Sequence, residues 1–181
     1  FGKNGLGINV FNDETGGALN KTGLSLSYAH KVIFSNAELY FGLSGGAAKV
    51  NISNLSDPAI INNEDIYPEV LFGAYLKKND FRFGISIPGL LNQNMELTSS
   101  SENTLKRNLY TMLSYEYELN KDIILLPSVL VKTNESKSQI DANLNLKFSD
   151  KIWVGASYRQ DFGASLFIGL DLGNLFSIYS Y

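Results

Sequence analysis

Between residues 138 and 148 the chain reads SQIDANLNLKF, and apolar and polar positions alternate without a slip. Ile140, Ala142, Leu144, Leu146 and Phe148 stand against Asp141, Asn143, Asn145 and Lys147. Successive side chains of a strand point to opposite faces, so this pattern predicts a strand that is apolar on one side and polar on the other. The same period of two dominates the rest of the chain, and no convincing helical stripe competes with it. It predicts strands at 5–11, 22–34, 37–50, 68–78, 81–91, 106–119, 123–132, 138–148, 152–159, 164–172 and from 175 onward. That is about eleven strands, nearly all joined by hairpin-sized connections, and it reads as a single up-and-down antiparallel domain over 1–181.

The connections alternate in length. SN at 35–36, KND at 78–80, NKD at 120–122, SDK at 149–151 and GN at 173–174 are tight. The others are looser: 12–21, 51–67, 91–105, 133–137 and 160–163. In a meander alternate turns lie at opposite ends, so one end is trimmed and the other carries loops, as in transmembrane β-barrels. A soluble antiparallel sheet with one wet face gives the same alternation, with the apolar face turned inward instead of outward. Strand length favours the membrane reading: about 9–11 tilted residues cross a bilayer, against about 5–6 in an ordinary strand. So does strand number, since about eleven long strands overfill a soluble eight-stranded barrel.

Composition narrows the function. The chain has 181 residues and 18% charged residues, below the roughly 25% of soluble domains. A net charge of −3 supplies no basic stripe to replace phosphate counterions, so nucleic acid is excluded as a partner. Without cysteine there is neither a disulfide framework nor a thiolate metal site. No apolar run is long enough for a membrane helix of about 20 residues. The chain opens at Phe1, not methionine, which suggests a mature or trimmed product.

Catalytic chemistry is sparse. His30 is the sole histidine, on a strand, with no acid or nucleophile placed beside it. The glycine-rich stretches GKNGLG (2–7) and GLSGGAAK (42–49) lack P-loop spacing and lead into no helix; on strands, glycines relieve crowding or permit bends. NNED (62–65) lacks the spacing of a calcium loop. Pro88 and Pro127 are expected to mark strand ends or bulges. No catalytic residue, cofactor or metal is expected. On the polar faces, Arg82 shares its side with Gly84 and Ser86, and Arg159 with Gly155 and Ser157, small residues that leave room for a long side chain. The expectation is a polar network inside a lumen, formed by Arg82, Glu116, Asp141, Asn143, Asn145 and Arg159, with the arginines meeting carboxylates. Trp153 has the same parity as Arg159 and sits awkwardly with that scheme. The segment 51–67 carries Leu55, Ile60, Ile61, Ile66 and Tyr67, apolar residues that on an external loop suggest a partner contact or, alternatively, a plug.

Several segments resemble a known family. GLGINVFNDETGGALNKTGLSLSYAHKV, ELYFGLSGGAAKVNISNLSDPA, FGAYLKKNDFRFGISIPGLL, LLPSVLVK and IDANLNLKFSDKIWVGASYR are similar, in this order, to motifs of the PorP/SprF family of Bacteroidota outer-membrane proteins. The resemblance implies an outer-membrane β-barrel, surrounded by lipid, that serves type IX secretion and gliding motility and is not an enzyme. It implies an adaptor supporting secretion or surface anchoring of cargo such as adhesins, linked to periplasmic ring or lipoprotein components. Family barrels have strands before the GLG segment and sequence after SIYSY, so the chain is expected to be part of a larger barrel. A porin-like channel for small solutes and a soluble ligand-binding barrel are the alternatives.

Overall fold

A computed structural model of the chain describes residues 2–16, 19–52, 64–91, 93–94, 104–105, 107–149, 151–173 and 176–180. Among these the regular structure is all strand: β1 (Asn4–Thr15), β2 (Leu19–Phe34), β3 (Ala37–Ile52), β4 (Glu64–Lys78), β5 (Phe81–Ile87), β6 (Gln93–Asn94), β7 (Thr104–Leu105), β8 (Asn108–Tyr115), β9 (Tyr117–Asn120), β10 (Ile123–Asn134), β11 (Ser138–Phe148), β12 (Ile152–Arg159), β13 (Gly163–Asp171) and β14 (Phe176–Ser180). Twelve of them form one antiparallel sheet in the order β1-β2-β3-β4-β5-β8-β10-β11-β12-β13-β14, with β9 also paired to β10. The short β6 and β7 pair separately. The order does not close: among the described residues no ladder joins β1 to β14.

Several predicted boundaries shift, each for a local reason. The β1–β2 ladder runs from Asn4↔His30 to Thr15↔Leu19, so most of the loop predicted at 12–21 is paired strand. Polar residues there bridge the strands, with the Thr22 hydroxyl donating to Asn12 Oδ1 at 2.7 Å. The fourth strand begins at Glu64 and not at 68, which puts Ile66 and Tyr67 on β4 and not in a loop. β5 ends at Ile87, directly before Pro88, which has no N–H to continue a ladder. Pro127, by contrast, lies inside β10, and the register with β11 runs unbroken through Pro127↔Leu144. The strand predicted at 106–119 divides into β8 and β9 at Glu116, whose backbone N–H bonds to the Asp80 carbonyl at 2.9 Å.

Two compact units are distinguished. The first comprises Phe1–Val32, Leu39–Ala74 and Ser86–Leu109. Large apolar residues stand open on it: Leu6 is 88% exposed, Ile8 75% and Val10 71%. The register sets them beside Tyr28, Leu26 and Leu24, so one face of this hairpin is apolar and open. Further along the same face, Asn12 stands beside Thr22 and Glu14 beside Asn20, and on β3 the side of Phe41 and Leu43 continues into Lys49, which pairs with Glu64 at 2.5 Å. There the other face turns apolar. Ala48, Val50 and Tyr67 are the buried hydrophobic residues among those described, with Phe11 and Ile52 packed against them. The polarity of the two faces thus reverses along these strands.

The second unit comprises Ile33–Glu38, Tyr75–Ile85 and Tyr110–Tyr181. Its apolar face follows the registers Leu144↔Ala156, Leu146↔Val154 and Val154↔Ile168, and Leu144, Val154, Leu166 and Ile168 on it are exposed. The other face carries Asp141, Asn143, Asn145 and Lys147 opposite Arg159, Ser157, Gly155 and Trp153.

Glycines fit the crowded places on this second kind of face. Phe11 lies over its register partner Gly23, and Phe167 over Gly155, where a Cβ would strike the ring. In the stretch GLSGGAAK, a Cβ on Gly46 would collide with the Leu24 carbonyl and with Ser25. That glycine is there for strand packing.

Candidate functional site

The polar face of the second unit holds the chemistry. β11 presents Asp141 between Lys132 of β10 and Arg159 of β12, because the registers set Leu130 and Arg159 on either side of it. Asp141 is only 6% exposed. Arg159 donates to it twice, Nε to Oδ1 at 3.0 Å and an Nη to Oδ2 at 3.2 Å. Lys132 Nζ donates to Oδ2 at 3.0 Å, and Gln139 Nε2 to Oδ1 at 2.8 Å. Both oxygens are therefore doubly bonded by donors, which is what keeps a carboxylate ionised away from bulk water. The Arg159 guanidinium also faces the Phe162 ring, 6.0 Å from its centroid. A cavity of about 290 Å³ opens beside this cluster, lined among others by Asn143, Ser157, Phe162 and Ser165. The two serine hydroxyls lie 2.7 Å apart.

Farther along the same face, Arg82 of β5 forms an ion pair with Glu116. A second cavity, about 520 Å³, is lined by this pair together with Ser114, Ser128, Asn145, Lys147 and Trp153. Trp153 stands beside Gly169 on β13, and Lys147 Nζ lies 5.2 Å from its ring centroid. The parity shared by Trp153 and Arg159 is real: both lie on the face of Asp141 and Lys147.

The structure thus brings Arg159 to Asp141 and Arg82 to Glu116, sets Asn143 in the first cavity and Asn145 in the second. Lys132 and Gln139, half of the donor set of Asp141, were not anticipated from the sequence. The pattern shows that Gln139 shares the parity of Asp141, but Lys132 arrives as the register partner of Gln139, which no pattern in one strand announces.

The residues proposed for an external loop separate. Leu55, Ile60 and Ile61 lie outside the described residues. Ile66 is on the outer, exposed side of β4, but Tyr67 is 4% exposed and belongs to the small apolar cluster with Ala48 and Val50. A strand that alternates sides sends these neighbours apart, so Tyr67 is no loop contact. Lys21 lies over the Phe11 and Tyr67 rings, at 5.3 and 5.5 Å, and its ammonium donates to Glu69 at 2.6 Å. His30 Nδ1 lies 2.7 Å from Asn4 Oδ1, which also accepts the Tyr28 hydroxyl at 2.9 Å. This is a cross-strand contact at the start of the β1–β2 ladder.

Among the described residues no helix is long and apolar enough to cross a membrane. No curated protein and no solved structure matches the chain. A family model described as "Type IX secretion system membrane protein PorP/SprF" matches residues 1–181. That match takes in every strand of the sheet and both clusters of paired charges, and on it the chain belongs to the PorP/SprF family of type IX secretion system membrane proteins.

Proposed function

We propose that the chain is an outer-membrane β-barrel component of type IX secretion, acting as an adaptor and not as an enzyme. In this reading it holds secreted cargo, such as an adhesin, for export or surface anchoring, and it links the outer membrane to periplasmic ring or lipoprotein components.

The observation that carries the membrane placement is the inversion of the two faces. Leu6, Ile8, Val10, Leu24 and Leu26 are exposed side by side. Asp141, Arg159 and Lys132 gather on the face opposite to Leu144. In water this arrangement forgoes about 25 cal/mol for each Å² of apolar surface left uncovered. In a bilayer it is favourable, since lipid covers the apolar face and the ion pairs sit in a hydrated interior. The family membership supports the secretion role.

The test is cross-linking and co-purification of the tagged chain from native outer membranes, alongside deletion of its gene. Secretion-ring proteins and a secreted or surface-anchored polypeptide are expected to co-purify, and that polypeptide is expected to leave the cell surface in the deletion strain. A chain that stays in the aqueous fraction without detergent would sink the membrane placement. A membrane-inserted chain that captures no partner, but conducts ions in planar bilayers, would instead favour a porin-like channel.

A further inference from the structure

We propose that the hollow lined by Arg159 and Asp141, with Lys132 bonded to Asp141 behind it, is a binding site for a small oxyanion, a carboxylate or phosphate group carried by a molecule in the aqueous interior. The site is lined by β11, β12, β13 and the turn that joins the last two, and it stands whichever secretion partner the chain serves.

The charge count is the starting point. Two cations converge on a single carboxylate, and Asp141 has no acceptor capacity to spare, because each of its oxygens already takes two donors. The cluster therefore keeps a net positive charge. Among the described residues the remaining N–H groups of the Arg159 guanidinium and the Lys132 ammonium meet no other acceptor. Asp141 serves as the positioning residue. It is nearly buried and fixes both cations, while the Arg159 side chain stays 51% exposed toward the hollow.

The surroundings match an oxyanion. A guanidinium presents a planar fork that suits carboxylate and phosphate oxygens, and charge-assisted bonds of this kind are the strong ones. The Ser157–Ser165 hydroxyl pair, which keeps one O–H after its mutual bond, and the Asn143 amide line the same hollow and supply neutral donors. The cavity of about 290 Å³ admits a small anionic group or the end of a larger molecule. The hollow opens on the face opposite to Leu144 and Val154, so an aqueous solute or a polypeptide side chain reaches it, and a lipid headgroup packed against the apolar face does not.

The experiment uses the full chain in detergent micelles, titrated calorimetrically with inorganic phosphate and, separately, with succinate, the ionic strength held by chloride. Saturable binding of at least one anion is expected. Phosphate alone would indicate a phosphoryl ligand, and succinate, with or without phosphate, a carboxylate. Arg159→Gln is expected to weaken binding roughly tenfold or more, the loss of one charge-assisted contact, and Lys132→Gln to weaken it less, because Lys132 acts through Asp141. Lys151→Gln, in the β11–β12 turn, is expected to bind as the parent does. Should the glutamine variants fail to assemble, Arg159→Lys keeps a cation on Asp141 but removes the fork, and weaker binding is expected. An absence of saturable binding by the parent chain, or binding unchanged in the Arg159 and Lys132 variants, overturns the proposal.

Discussion

Leu144 and Asn143 are neighbours in the chain and opposites in environment. Leu144 is half exposed on the apolar face, whereas Asn143 lines the hollow beside Asp141. Arginine on a lipid-facing strand position costs about 2–4 kcal/mol at the bilayer midplane. Leu144→Arg is therefore expected to impair membrane assembly, and Asn143→Arg to be tolerated. Heat-modifiable migration on gels reads both, and equal assembly of the two variants would refute the membrane reading of β11. Gly46 makes a different demand. Its missing Cβ would meet backbone of β2, which cannot yield as a flexible side chain would, so Gly46→Val is expected to lower the assembled fraction severalfold. Gly45, its neighbour, has open space where its Cβ would be, and Gly45→Val is expected to be mild. Asp141→Ala should be worse than Asn143→Ala, since it leaves two cations facing each other without their carboxylate. A denaturant midpoint shifted no further by the first than by the second would refute the central place of Asp141.

At the scale of elements, alternate turns lie at opposite ends of the strands. The turns at 79–80 and 121–122 are tight, and Asn79 and Ser149, each directly after a strand, take positive φ, at 50° and 46°. Asn tolerates that region better than most residues, because its short polar side chain bonds locally. Consecutive antiparallel strands place the connection at 135–137 at the end opposite to 121–122 and 149–151. The proposed orientation puts the tight turns in the periplasm. Cysteine at Ser136 is then expected to react with a membrane-impermeant maleimide on whole cells, and cysteine at Asn79 not; the reverse labelling would invert the orientation. The polarity reversal in the first unit adds a check on depth. Val10 and Leu24 are the last apolar pair on their face before Asn12 and Thr22. Cysteine at Glu14 should label and cysteine at Ile8 should not, because water reaches the first position and lipid covers the second.

For the whole molecule, exposure of the apolar face makes assembly depend on the medium. The described residues that are both hydrophobic and buried are Ala48, Val50 and Tyr67, too few for a water-soluble core. The chain is therefore expected to stay unfolded or aggregate when diluted from urea into buffer, and to gain β-structure and heat-modifiable migration when diluted into detergent or lipid vesicles. Circular dichroism in parallel dilutions measures this, and a folded monomer in plain buffer would contradict the membrane placement.

The β11 strand shows what the sequence by itself determined. Its bounds at 138 and 148 are those of the alternating run, and β12 likewise matches its predicted span, because a period of two is local and each residue carries its own side. The five ordered segments were enough to place the family, which the match over 1–181 bears out. Tertiary structure decided what depends on a neighbouring strand. The pairing of Asn12 with Thr22 extends the first hairpin into a stretch with no alternation to announce it. Tyr67, read as a loop residue, is drawn into the cluster of Ala48 and Val50 by β3, which is distant in sequence. The arginine–carboxylate pairs were foreseeable from parity, but the convergence of Lys132 and Gln139 on Asp141 required the registers of β10, β11 and β12 together. Alternation tells each residue which face it takes, while the ladder alone tells it whom it meets there, since register is a relation between strands and not a property of either.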